Sequence, residues 1–164
     1  MDTTIIRPYE AKDEEAVLKL NEDSVSFLSP MNRTRFVRLK SVSRLILVAE
    51  CDRKVVAFLM GFSDNADYDS VNYQWFSARL KSFFYIDRIV VNKKYRSLGI
   101  GRTFYSKIYN WASQEKMKWL VAEIDFEPPN ETSLKFHNKQ QFVEVAKLAG
   151  RKKIVSLQVK SVNA

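Results

Sequence analysis

The chain has little of several residue types that usually build sites. It holds one cysteine, one histidine, four glycines and four prolines in 164 residues. With Cys51 alone, a disulfide framework and a cysteine-based metal site are both excluded. The single histidine, His137, argues against a structural zinc site. No apolar run reaches the roughly 18 residues that a membrane helix needs. The first ten residues, MDTTIIRPYE, lack a basic stretch followed by a long apolar core, so no secretory signal is expected. These absences lead to the expectation of a soluble cytoplasmic protein without a resident metal. Repeats and low-complexity linkers are also missing.

What is present is a large apolar fraction, 46%, enough for one packed domain over residues 1–164. The net charge is +8. It is unevenly spread: residues 1–87 carry 12 Lys and Arg against 13 Asp and Glu, and residues 88–164 carry 15 against 6. A basic half suits a polyanionic ligand, a nucleic acid or an acidic partner, and equally a lysine-rich surface.

Periodicity orders the elements. Thr4–Arg7 reads as a strand ended by Pro8. Asp13 can cap a helix over 14–23, with Ala16, Val17 and Leu20 at helical spacing. A second helix is predicted over Asn32–Val42, with Phe36, Val37 and Leu39 as its apolar members. LILVAE and VVAFLMGF flank a polar turn at Cys51–Lys54, which predicts a hairpin. The 63–82 segment begins acidic (Asp64, Asp67, Asp69) and becomes aromatic (Tyr73, Trp75, Phe76). Part of it, Tyr73–Leu80, is predicted as a short helix. FFYIDRIVV, Phe83–Val91, is a strand on which Asp87 and Arg88 point to opposite faces. After a glycine turn comes a helix with Phe104, Ile108, Trp111 and Ala112 in one stripe. Trp119–Phe126 is a strand with Glu123 and Asp125 on one face, ended by Pro128-Pro129. Residues 131–140 form a short helix, and FVEVAK and KIVSLQVK a last hairpin. The fold class is α/β, a mixed sheet with antiparallel arms.

The glycine turn YRSLGIGR, Tyr95–Arg102, sits between a strand and a helix. The Walker A pattern is absent, and a dinucleotide fingerprint fails because Phe104 stands at its third glycine. What remains is Arg96, Gly99 and Gly101. Backbone amides in such a turn make an anion-binding nest, and the helix N-terminus adds unpaired donors. A plain strand-to-helix turn explains the glycines equally well.

The surrounding residues add to this. FFYIDRIVVNKKYRSLGIGRTFYSKIYNWA followed by AEIDFEPPNETSLKFHNKQQF resembles the GNAT superfamily of acyl-CoA N-acyltransferases. Arg96, Ser97, Leu98, Gly99, Ile100 and Gly101 match its Q/R-x-x-G-x-G/A signature. Asn130, Ser133, Phe136-His137 and Phe142 match its second signature, and the element order fits the whole chain. The resemblance implies a GNAT-like fold, a central mixed sheet flanked by helices. It implies acetyl-CoA as acyl donor, with residues 96–102 holding the pyrophosphate. It further implies that backbone near Ile89, Val90 and Val91 pairs with the pantetheine arm between two splayed strands, and that Asn130, Ser133 and Phe136 meet its thiol end. Two departures stand out. Members commonly have tyrosine where His137 stands, and glycine where Gln141 stands.

Acetyl transfer to an amine needs a proton acceptor for the amine, stabilisation of the oxyanion and a proton for the thiolate. Glu123 and Asp87 are the candidate bases, one on each strand predicted to splay, and either can instead belong to an ion pair. A route with no protein base is also open. His137 is the candidate acid, and a histidine satisfied by backbone is the plain alternative. A backbone N–H near Val90 would meet the oxyanion. Arg88 reads as a surface or sheet-edge ion pair, and Cys51 as a bystander. Tyr73, Trp75 and Phe76 are the candidate acceptor-side wall, with capping of the core as the other reading. The acceptor is expected to be a small-molecule or protein amine. Two rival functions share parts of this pattern: a silent coenzyme A-binding module and a basic nucleic-acid binder. The second is disfavoured, because no exposed aromatics interleave with the basic stretch. A homodimer is left open.

Overall fold

The computed structural model describes residues 3–25 and 28–163. Its seven strands form one mixed sheet in the order β1-β2-β3-β4-β5-β7-β6. The strands are β1 (Thr4–Pro8), β2 (Leu45–Cys51), β3 (Lys54–Ser63), β4 (Phe83–Val91), β5 (Trp119–Glu127), β6 (Val143–Ala149) and β7 (Ile154–Ser161). Five helices accompany them: α1 (Glu14–Glu22), α2 (Arg33–Val42), α3 (Val71–Ser77), α4 (Ile100–Gln114) and α5 (Glu131–Lys139). Every predicted element is present, most within one or two residues. Contacts group the chain into two compact units, Met1–Phe62 with Arg88–Asn110, and Ser63–Asp87 with Trp111–Ala164.

In the first unit, β1 and β2 pair antiparallel from Thr4↔Cys51 to Pro8↔Leu47. The β2–β3 hairpin closes at Cys51↔Lys54. Its two loop residues, Asp52 and Arg53, both have positive φ, 51° and 64°. That is the twist a two-residue hairpin favours, here made without glycine. Asn32 caps α2 by accepting from the Arg35 amide at 2.8 Å. Val17 and Leu20 of α1, and Phe36 and Leu39 of α2, are buried. Val37, expected on the apolar face of α2, is 48% exposed. Asp13 does not cap α1 with its side chain. It accepts instead from the Glu10 amide, within a short turn over Ala11–Asp13, and pairs with Arg7 at 2.8 Å. Arg7 reaches Glu50 as well, at 2.9 Å. Arg88 corrects a second expectation. Expected in a surface or sheet-edge ion pair, it is instead 5% exposed and donates to Asn21 Oδ1 at 3.0 Å and the Ser29 carbonyl at 3.3 Å. Burying a guanidinium demands such partners.

In the second unit, β4 pairs parallel with β5 from Phe83↔Trp119 to Ile86↔Ala122. A parallel pair needs a crossover, and α4 lies in the connecting segment. β7 then returns antiparallel beside β5, and β6 takes the edge. The core is aromatic: Tyr73, Phe76, Phe83 and Tyr85 are at most 1% exposed, with ring centroids 5.5–6.5 Å apart. Edge-on and tilted rings at this spacing add to the burial itself.

Candidate active site

The glycine turn leads from a short helical turn over Lys93–Tyr95 into α4. Asn92 Oδ1 accepts from the Lys94 amide at 2.9 Å and shapes the entry. Ser97 and Gly99 both take positive φ, 68° and 79°. Glycine adopts that backbone without strain, which accounts for Gly99. The Gly99 carbonyl accepts from the Thr103 amide at 3.0 Å and the Thr103 hydroxyl at 2.9 Å, so Gly99 is the last residue before the helix. The amides of Ile100, Gly101 and Arg102 then fall in the first turn, where no intrahelical carbonyl reaches. That turn holds no acidic residue. Lys93, Lys94, Arg96 and Arg102 are all exposed around it. Left-handed turns, open amides, a 15-residue helix and four cations fit a diphosphate. Arg96 Nε donates to the Val91 carbonyl at 3.2 Å, tying the turn to the end of β4. Val90 is buried, while Ile89, Val91 and Gly101 are half-buried and Ser97 and Leu98 exposed.

The second unit carries the titratable candidates. Asp87 and Glu123 are each the next residue after the last β4–β5 pair, Ile86↔Ala122. Both are half-buried. Glu123 Oε2 is sealed from solvent and receives no hydrogen bond of good geometry, and Tyr85 Oη is in the same condition. Burial, then the nearby charge of Asp87, pushes the Glu123 carboxyl up to about 7. Tyr85, Lys153 and Asn72 pull the other way, less strongly. Asp87 is held by Tyr68, whose hydroxyl donates to Oδ1 at 2.5 Å. Lys153 also pairs with Asp125 at 2.9 Å. Tyr68 and Tyr85 were not singled out from the sequence. Tyr85 could have been, since strand alternation puts it on the same face as Asp87. Tyr68 lies in the irregular part of the 63–82 segment, where no periodicity points to it.

On α5, Asn130 Oδ1 caps the helix by accepting from the Ser133 amide at 3.2 Å. His137 is 4% exposed, with Nδ1 2.7 Å from the Ser133 carbonyl and 3.3 Å from Ser133 Oγ. A carbonyl can only accept, so Nδ1 carries the proton and Nε2 is the acceptor. Burial lowers the His137 pKa, which keeps the ring neutral at pH 7. A neutral ring of this tautomer offers no proton at Nε2, which weighs against the acid role. Phe136 and Phe142 stand edge-on to it, at 5.4 and 5.1 Å. Gln141 takes φ 68°, while its own amide and that of Phe142 bond back to Asn138 and His137. That is the helix ending for which glycine is the usual residue, so the departure at Gln141 keeps the turn and strains it.

The expected aromatic wall is mostly core. Tyr73 and Phe76 are buried, and Tyr73 Oη bonds the Ser63 carbonyl and the Ala66 amide. Only Trp75 is half-exposed, with the Arg79 guanidinium 4.2 Å above its ring. On a helix of 7 residues, two of the three aromatics must turn inward.

The first unit thus carries a glycine turn with open amides and cations ahead of α4, and the second a carboxylate of raised pKa on β5. The family model for the acetyltransferase (GNAT) family matches residues 11–142, and the chain belongs to that family. Its members are acyltransferases that use acetyl-CoA. No curated protein sequence matches. The ribosomal-protein-S18-alanine N-acetyltransferase of Escherichia coli superposes with a TM-score of 0.76 at 12% identity, over 99% of this chain and 96% of that one. Ard1 of Thermoplasma volcanium gives 0.77 at 17% identity, over 98% and 99%. The yncA protein of Salmonella typhimurium, solved with its cofactor acetyl-CoA, gives 0.73 at 16%, over 98% and 94%. At such identities the likeness is one of fold. Among the described residues, no helix is long and apolar enough to cross a membrane.

Proposed function

We propose that this chain is an N-acetyltransferase that moves the acetyl group of acetyl-CoA to a primary amine by direct attack, with Glu123 as the base. The observation that carries the reading is the Glu123 carboxyl, sealed at Oε2 and poised near 7. A base works best when its pKa lies near the working pH. Arg96, Ser97, Leu98, Gly99, Ile100, Gly101 and Arg102 hold the donor's pyrophosphate. Backbone at Ile89–Val91 lies along its pantetheine arm, and a backbone N–H near Val90 meets the oxyanion. Asn130 and Ser133 shape the start of α5 and Phe136 packs on its last turn, so their contribution is placement of that helix.

Glu123 removes one proton from the incoming ammonium. The freed nitrogen forms the C–N bond, and the C–S bond breaks with its electron pair on sulfur. The second nitrogen proton ends on sulfur, and Glu123 returns its own to water. His137 is not used in this scheme.

Thermal unfolding with acetyl-CoA, against ATP at equal concentration, tests the donor. Ligand at ~100 times its dissociation constant stabilises by about 2.7 kcal/mol. For a domain of this length that is roughly 5–10 °C. Equal shifts with ATP would reduce the turn to a general anion site, and no shift would sink the reading. Glu123→Gln should leave the shift intact and lower turnover by about 10²–10⁴.

A further inference from the structure

Two buried polar atoms in the second unit have no partner of good geometry, Tyr85 Oη and Glu123 Oε2. Tyr85 is 0% exposed, and it shares a strand face with Asp87, two residues on. Orphaned buried groups are uncommon in native proteins and call for an explanation such as an ion, a water or a ligand. Asp87 is different. Its Oδ1 is fixed by the Tyr68 hydroxyl at 2.5 Å, and Tyr68 is itself 6% exposed.

We propose that Asp87, fixed by Tyr68, is the counter-ion that selects a cationic primary amine bearing no nearby carboxylate, while Glu123 takes its proton and Tyr85 Oη bonds the bound nitrogen. This rests on the acetyltransferase reading and names the acceptor class for it. The two carboxylates thereby divide the work. Asp87 holds the ammonium, and Glu123 takes the proton. Both repel an acceptor with its own carboxylate beside the amine. The groups that bear on Glu123 are Asp87 and Tyr85 from β4, Asn72 from α3 and Lys153 ahead of β7. Tyr68 bears on the cluster through Asp87 and Tyr85. Lys153 pairs with Asp125 at 2.9 Å and acts on Glu123 less strongly than Asp87 does.

The test titrates the Glu123 carboxyl of the full chain by ¹³C NMR, with n-butylammonium chloride or 4-aminobutyrate as probe at constant ionic strength. In the wild type, n-butylammonium should lower the Glu123 midpoint, because a bound cation favours the carboxylate. The aminobutyrate should do so at least tenfold more weakly in concentration. Asp87→Asn keeps the shape and the acceptor for Tyr68 but removes the charge. It should lower the midpoint without any probe and abolish the further shift. Tyr68→Phe should keep the charge and weaken probe binding several-fold. An Asp87→Asn variant that responds to n-butylammonium as the wild type does would overturn the proposal. So would a wild type whose midpoint is high but indifferent to the probe. Acetyl-CoA melting shifts on the same variants separate the two failures. If acetyl-CoA stabilises all of them equally and the amine does nothing, only the acceptor proposal falls. If acetyl-CoA stabilises none, the acetyltransferase reading falls first.

Discussion

A carboxyl placed like Glu123 is bought at the expense of stability. The unfolded side chain titrates near 4.5 and the folded one near 7, so between those values the native state holds the extra proton. Stability therefore falls as pH rises through that window, by up to about 3 kcal/mol for a shift of this size. Glu123→Gln removes the titration. Its melting temperature relative to wild type should be higher at pH 8 than at pH 4, as scanning calorimetry at both values would show. A difference that does not vary with pH would mean that the carboxyl is not perturbed. Asp13 runs the other way. The Arg7 guanidinium holds it below the usual carboxylate range, so its contribution is present above the unfolded pKa and lost as pH falls through the folded one. His137 shows how much burial decides. The ring looked like an acid because imidazole titrates near pH 7, yet burial among the phenylalanines lowers its pKa and keeps it neutral, against the Ser133 carbonyl, which pulls the other way.

Among the elements, the β2–β3 hairpin is the clearest place for a gain. Asp52 and Arg53 carry a left-handed backbone that glycine takes freely. Arg53→Gly should stabilise by about 0.5–1 kcal/mol, net of the added freedom of the unfolded chain. That is a rise of roughly 1–4 °C in Tm by thermal melt. A fall would mean that the Arg53 side chain makes a contact worth more than the strain. Helix α4 has a double use. Of its apolar stripe, Phe104, Ile108 and Ala112 are completely buried and Trp111 is half-buried, while the cations around its N-terminus face solvent. The stripe was readable because a 3.6-residue period survives any packing partner. The end of α5 was readable less well, since a non-glycine residue in a left-handed turn leaves no mark in the pattern.

For the molecule as a whole, the charge asymmetry is the broadest feature. The basic half begins at Arg88 and includes the four cations of the glycine turn. If those side chains carry the donor grip, acetyl-CoA affinity should weaken several-fold to about tenfold between 0.1 and 1 M salt, as screening shortens from ~10 to ~3 Å. Isothermal titration calorimetry in both buffers would check it. An affinity indifferent to salt would assign the grip to backbone amides alone.

The sequence by itself determined the element order, the hairpins, the helix stripe, the glycine turn and the family, because these depend on local periodicity and short spacing. It also offered Glu123 and Asp87 as candidate bases, beside a route with no protein base. Only the tertiary structure gave the two carboxylates different surroundings, sealing Glu123 Oε2 from water and giving Asp87 the hydroxyl of Tyr68. It likewise turned Tyr73 and Phe76 into core, buried Arg88 against Asn21, and set β7 between β5 and β6. Each of these rests on residues far apart in the chain. Burial and partner choice are set by what folds against a side chain, and no local pattern carries that information.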